Sequence, residues 1–144
     1  MGADYVMLFR MHHLTTAMIG IKYDDFARDV TAVPQINKLL AVTDILISDY
    51  SAAIFDYCIL ERPVISFAYD YEAYSESRGF YEKIDDILPG DNFRTQEEVV
   101  RHIKTMDYAE ECAKARRIKE KYVQTDGRAT EACMEYIKKH LKNR

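Results

Sequence analysis

The chain has 144 residues, enough for one domain with a genuine core and too few for two of ordinary size. Its formal net charge of −4 argues against broad electrostatic attraction to DNA or RNA, so no nucleic acid is expected as a partner, while a local basic patch for phosphate stays compatible with it. Cys58, Cys112 and Cys133 are odd in number and widely spaced, which speaks against a disulfide framework or a zinc site and for a reduced, cytoplasmic setting.

Residues 5–11, Tyr-Val-Met-Leu-Phe-Arg-Met, form a mixed apolar run that predicts a first strand entering a loop at His12, His13 and Leu14. Residues 22–30 are polar and irregular, with a short strand expected near Asp29 and Val30. Pro34 stands at the first turn of a helix that ends near Val42 and carries Ile36, Leu39 and Leu40 on one face. Ile45-Leu46-Ile47 lacks polar alternation, the pattern of a strand buried on both faces of a parallel sheet. Ser51 is a good N-cap for a helix from Ala52 to Leu60, and Arg62-Pro63 stops it before the next apolar run, Val64-Ile65-Ser66-Phe67.

That stretch is a β-α-β unit, in which ligands collect beyond the carboxyl ends of the strands and the start of the helix favours phosphate. Residues 69–92 follow as a long connection rich in acidic and aromatic residues and broken by Gly79, Pro89 and Gly90, a length that is commonly functional. Thr95 and Glu98 have capping-box spacing, and Val99, Val100, Ile103 and Met106 give the helix behind them its apolar face. A charged helix is expected over residues 108–122, with Lys114 to Lys121 as a solvated face. Thr125-Asp126-Gly127 then breaks the chain. A last amphipathic helix over residues 129–141 carries Ala132, Cys133, Tyr136, Ile137 and Leu141.

Strands alternating with helices predict an α/β fold, a Rossmann-like parallel sheet with flanking helices, in a single domain over residues 1–144. Three strands make a thin sheet, so the chain is expected to be a fragment of a longer protein with further strands upstream. No secretory signal pattern and no apolar run long enough for a bilayer is present.

The turn Ser48-Asp49-Tyr50-Ser51 admits two roles. The hydroxyls of Ser48 and Ser51 and the N–H groups of Ala52 and Ala53 can hold a diphosphate, or Ser51 is an ordinary N-cap and Asp49 an ordinary turn residue. No Gly-rich phosphate fingerprint is present. Arg10 and His12 alternate around Met11, so both leave the same face at the carboxyl edge of the sheet. There His12 could bond a phosphoryl oxygen or act as general acid, and Arg10 could neutralise charge. His13 reads as an incidental surface residue, and no carboxylate or cysteine stands at metal-ligand spacing from the pair. Asp56 either pairs with Arg62 or Arg78 or reaches a ligand hydroxyl. Arg78-Gly79-Phe80-Tyr81 either covers a nucleotide or polyol or anchors a loop through Phe80. Asp126-Gly127-Arg128 is a turn and helix start, with Gly127 supplying an unusual backbone angle.

Taken together, RMHH at residues 10–13, TDILISDYSAAIFDY at 43–57, RPVISFAYD at 62–70, RGFY at 78–81, LPG at 88–90 and DGRATE at 126–131 resemble one family. It is the CDP-glycerol glycerophosphotransferase family, which includes the teichoic acid primases and polymerases. The resemblance covers almost the whole chain in order. It implies a GT-B architecture of two facing Rossmann-like domains, with this chain similar to the second, donor-binding one and without that domain's first strand and helix.

By motif, His12 matches the essential histidine of the family's RxHP element, Ser51 the first serine of its DYSS turn, and Asp126 with Gly127 its DG turn. His13 stands where the family has proline and Ala52 where it has the second serine, so a hydroxyl contact made there must come from backbone N–H or be lost. The resemblance implies His12 as catalytic residue and Arg10, Ser48, Asp49, Ser51, Ala52, Asp56, Arg78, Asp126 and Gly127 as donor-binding residues. No metal and no cofactor are implied. The implied reaction is attack of an acceptor hydroxyl on the β-phosphorus of CDP-glycerol with release of CMP. The implied partners are CDP-glycerol or a related CDP-polyol, a lipid-linked polyol-phosphate acceptor and an N-terminal domain lying outside this sequence. The resemblance also implies a cytoplasmic protein peripheral to the inner face of the membrane. Another catalytic histidine of the family belongs to the opposite domain, so this chain alone is expected to bind donor with little turnover. A CDP-ribitol or nucleotide-sugar donor, or a noncatalytic nucleotide-binding module, are the alternatives.

Overall fold

The computed structural model describes residues 5–11, 22–88, 90, 92–125 and 127–141. The chain divides into two compact units, Met1–Val42 and Thr43–Arg144.

In the first unit, strand β1 (Met7–Phe9) pairs in parallel with β2 (Ala27–Asp29), Met7 opposite Ala27 and Phe9 opposite Asp29. The ladder continues one bond further, since the Val30 N–H donates to the Phe9 carbonyl at 2.8 Å. The second strand therefore begins two residues earlier than expected. The Asp24 carboxylate fixes its start by accepting from the N–H groups of Phe26 and Ala27 at 2.8 and 2.7 Å. After it, the Asp29 carboxylate accepts from Thr31 N–H, and the Thr31 hydroxyl accepts from Met11 N–H at 3.2 Å, tying the ends of both strands together. Helix α1 (Ile36–Val42) starts two residues after Pro34 and turns Leu40 inward, with Ile36 and Leu39 half-buried beside it.

In the second unit, β3 (Leu46–Ser48), β4 (Val64–Phe67) and β5 (Asn92–Phe93) form a parallel sheet in the order β3-β4-β5. β4 lies in the centre, and Val64, Ile65 and Ser66 are all buried, as expected for a strand covered on both faces. Helix α2 (Ala53–Cys58) crosses between β3 and β4, buries Ile54, Tyr57 and Cys58, and packs against α6 (Tyr108–Tyr122), on which Ala115 and Ile118 are buried.

α2 is shorter at both ends than the expected span from Ala52 to Leu60. At its end Leu60 and Glu61 N–H groups bond three residues back, to Tyr57 and Cys58, and Glu61 takes a left-handed φ of 54°. Pro63 disfavours helical conformation at Arg62, so the helix does not resume before β4.

Residues 69–92 are not a structureless connection. They contain α3 (Tyr71–Arg78) and α4 (Ile84–Ile87), and their last residue, Asn92, opens the third strand, β5. α5 (Gln96–Thr105) opens on the expected capping box: Thr95 Oγ1 accepts from Glu98 N–H at 3.3 Å, and the Glu98 carboxylate accepts from Thr95 N–H at 3.0 Å. α6 has the expected bounds, but its cationic run is not merely solvated. Lys114 pairs with the buried Glu111 at 2.7 Å, and Arg116 and Lys119 both bind the Glu61 carboxylate, at 2.8 and 2.9 Å. α7 (Ala129–Leu141) also has the expected bounds, and all its residues are exposed.

Candidate functional site

The carboxyl edge of the three-stranded sheet is where the sequence places a ligand turn. Ser48 ends β3 opposite Ser66 of β4, and the chain then turns through Asp49, Tyr50, Ser51 and Ala52 before α2 begins. Ser51 is one residue outside the helix cap, which is Ala52. Its hydroxyl nevertheless accepts from Ala53 N–H at 3.2 Å, and its carbonyl accepts from Ile54 N–H at 3.2 Å. The expected N-cap is thus displaced by one position, because the helix opens on bonds that reach only three residues, from Ile54 to Ser51 and from Phe55 to Ala52. For an anion this matters: the Ala53 N–H is already occupied by Ser51, while Ser51 and Ala52 themselves are exposed.

Tyr50, between the exposed Asp49 and Ser51, points the other way. Its hydroxyl donates to the Asp70 carboxylate at 3.0 Å, and its ring stacks on Tyr74 with centroids 4.2 Å apart. Phe80 closes the group, stacked on Tyr71 at 5.2 Å and on Tyr74 at 5.3 Å, and lying 5.3 Å from Tyr50. Gly79 makes this closure possible: its φ of 69° ends α3 and turns Phe80 back onto the helix. The Arg94 guanidinium, just past β5, lies 4.6 Å over the Tyr71 ring. Burial, and then the hydrogen bond to Asp70, push the Tyr50 hydroxyl above the ordinary tyrosine range, so it remains a proton donor at neutral pH.

Phe80 therefore serves as a loop anchor, while Arg78 and Tyr81 on either side of the Gly79-Phe80 pair are exposed. Asp56 lies exposed on α2, and Arg62 donates to the Thr43 carbonyl at 2.7 Å. Gly127 has the expected positive φ, 85°, and Arg128 N–H closes its turn on the Thr125 carbonyl at 2.9 Å. Arg10 follows β1 and is exposed in the first unit. His12 and Asp126 lie outside the described residues. Among the described residues no group of three histidine, cysteine or carboxylate side chains could hold a metal ion. Burial pushes the Cys58 thiol up to about 12, which disqualifies it as a nucleophile near neutral pH.

The structure thus brings together Ser48, Asp49, Ser51 and Ala52 at one turn and links the Arg78–Phe80 segment to it through Tyr50. Sequence reasoning missed Tyr50, Asp70 and Arg94. A signal for them existed in the spacing of Tyr71 and Tyr74, three apart as on one helix face.

Residues 1–139 match the CDP-Glycerol:Poly(glycerophosphate) glycerophosphotransferase family. The chain belongs to this family. Among family proteins, it is 38% identical over 107 residues to the teichoic acid poly(ribitol-phosphate) polymerase of Bacillus spizizenii, a match covering 73% of this chain and 17% of that protein. It is 40% identical over 105 residues to the teichoic acid glycerol-phosphate transferase of Staphylococcus aureus, covering 72% of this chain and 27% of that protein. The structure superposes on that of the wall teichoic acid polymerase TagF with a TM-score of 0.77 and 32% identity, over 97% of this chain and 35% of that one. It also matches a TagF variant soaked with CDPG, with a TM-score of 0.74. The chain therefore spans about a third or less of the length of these family members, and its parallel α/β architecture is the one expected of half a GT-B enzyme.

Proposed function

We propose that this chain is the donor-binding part of a glycerophosphotransferase, which moves glycerol phosphate from CDP-glycerol to a teichoic-acid-type acceptor. The observation that carries this is the family match over residues 1–139, together with a serine-bearing turn exposed at the carboxyl edge of a parallel sheet.

In the reaction an acceptor hydroxyl oxygen attacks the β-phosphorus of CDP-glycerol. The new P–O bond forms a phosphodiester as the bond to the bridging oxygen breaks, and CMP departs with that oxygen. The acceptor proton passes to a base on another domain of the full-length protein. Ser51 and Ser48 bind the diphosphate, Arg10 offsets its charge, and His12 donates to a phosphoryl oxygen as the leaving group develops. Asp49, Ala52, Asp56, Arg78, Asp126 and Gly127 complete the donor site. The catalysis proposed for these side chains is positioning and electrostatic stabilisation. No described helix is long and apolar enough to cross a membrane. We place the full-length protein in the cytoplasm, at the inner face of the membrane, where a lipid-linked polyol-phosphate acceptor is presented.

Calorimetric titration of the chain with CDP-glycerol, CDP-ribitol, CMP and UDP-glucose tests the proposal, with Ser51→Asp and His12→Ala alongside. Selective binding of CDP-glycerol that Ser51→Asp abolishes is the expected result, because a carboxylate there repels the diphosphate. Equal binding by wild type and Ser51→Asp would overturn the assignment of the turn. Preference for UDP-glucose would overturn the donor class.

A further inference from the structure

Tyr50 is half-buried between the exposed Asp49 and Ser51, so it is the side chain of this turn that reaches inward to the segments after β4 and β5. Its partners come from the ends of the two other strands in the sheet. Asp70 follows β4 and receives the Tyr50 hydroxyl at 3.0 Å. Arg94 follows β5 and covers Tyr71 at 4.6 Å, and Tyr71 is itself 6.2 Å from Tyr50. One hydrogen-bonded and stacked cluster thus ties together the carboxyl ends of β3, β4 and β5, the edge that presents the turn.

We propose that Tyr50 is a positioning residue, clamped by Asp70 and by the wall of Tyr71, Tyr74 and Phe80, which holds the Ser48–Ser51 turn in the form that takes the donor diphosphate. This rests on the donor-binding role proposed above. Packing alone would be met by phenylalanine. The hydroxyl makes the difference, because it gives the ring a fixed depth and rotation through a bond to a carboxylate, and such charge-assisted bonds are the stronger ones. Asp70 precedes α3 but makes no capping hydrogen bond with its side chain, so Asp70→Ala removes the bond to Tyr50 without removing a side-chain cap.

The test combines amide hydrogen exchange over residues 48–54 with CDP-glycerol titration, in wild type, Tyr50→Phe, Asp70→Ala and the double variant; Tyr136→Phe on α7 serves as control. Each single variant is expected to speed exchange in this segment and weaken CDP-glycerol binding about two- to tenfold, the range of one hydrogen bond. The double variant is expected to be no worse than either single one, since both remove the same bond. β4 and α6 should exchange as in wild type, which separates local release of the turn from general loosening. Unchanged exchange over residues 48–54 in both single variants overturns the clamp. So does wild-type donor affinity in Tyr50→Phe while Ser51→Asp has lost it. If the wild-type chain shows no CDP-glycerol binding, the donor role fails, and with it the positioning role, even where the variants loosen the turn.

Discussion

Tyr57 and Glu61 show how individual side chains hold the crossover that follows the serine turn. Tyr57 is fully buried, and its hydroxyl donates to the Thr43 carbonyl at 2.8 Å, an acceptor shared with Arg62. Tyr57→Phe keeps the ring and leaves that carbonyl satisfied by Arg62, so the expected loss is about 1 kcal/mol in urea unfolding, one net hydrogen bond. Glu61 combines a left-handed backbone with ion pairs to Arg116 and Lys119. Glu61→Ala removes the pairs and keeps the unfavourable φ, whereas Glu61→Gly removes the pairs and relieves it. Thermal melts should rank the glycine variant above the alanine one. The reverse order would mean that the flexibility glycine adds to the unfolded chain outweighs the relief.

Among the elements, those legible in the sequence were the ones with a clear apolar pattern or a cap, whether they face the core, as β4 does, or lie exposed, as α7 does. β4 matched its expected bounds because its apolar run is buried, and α5 announced itself through Thr95 and Glu98. Thr95→Ala removes one half of that box and is expected to cost about 1 kcal/mol, read as a lower urea midpoint with an unchanged slope. α3 was illegible for a physical reason. Its sequence, Tyr-Glu-Ala-Tyr-Ser-Glu-Ser-Arg, buries no residue and so has no apolar stripe to detect; its rings stack on Tyr50 and Phe80 instead. β5 has only two residues, too few for any alternation to register. The candidate site shows the same division. Ser51 was legible as a polar residue at a strand-to-helix turn, while Tyr50 was harder to read because its partners lie in a segment whose helix has no apolar stripe and offers only the Tyr71–Tyr74 spacing.

For the whole molecule, several carboxylates are shifted in the direction that makes stability fall in acid. Glu61, Glu82 and Glu98 are all held below the ordinary 4.5. The causes are hydrogen bonds from Lys119 and Arg116, from Tyr122, and from the Arg94 and Thr95 backbone, respectively. Their folded forms keep the charge more tightly than the unfolded chain does, so this contribution is whole above about pH 4.5 and is lost as the pH falls through their folded values. Burial raises Tyr57 well above the ordinary 10.0, so its contribution is whole below pH 10 and is lost above it, as the unfolded chain ionises first. Urea unfolding across the pH range should therefore give a plateau that falls at both ends. A flat acid limb would show that these three carboxylates add no pH-dependent stability.

The strand order also dictates a sequence of assembly. β3 reaches β4 through one short crossover, pairing Leu46 with Val64, whereas β5 must await α3 and α4 before Asn92 meets Ser66. The shorter closure costs less chain entropy, so the first two strands can join while the third is still unformed. During synthesis the serine turn accordingly emerges before Asp70, Tyr74 and Phe80, and for that interval the nascent chain carries Tyr50 without the side chains that receive it in the folded protein.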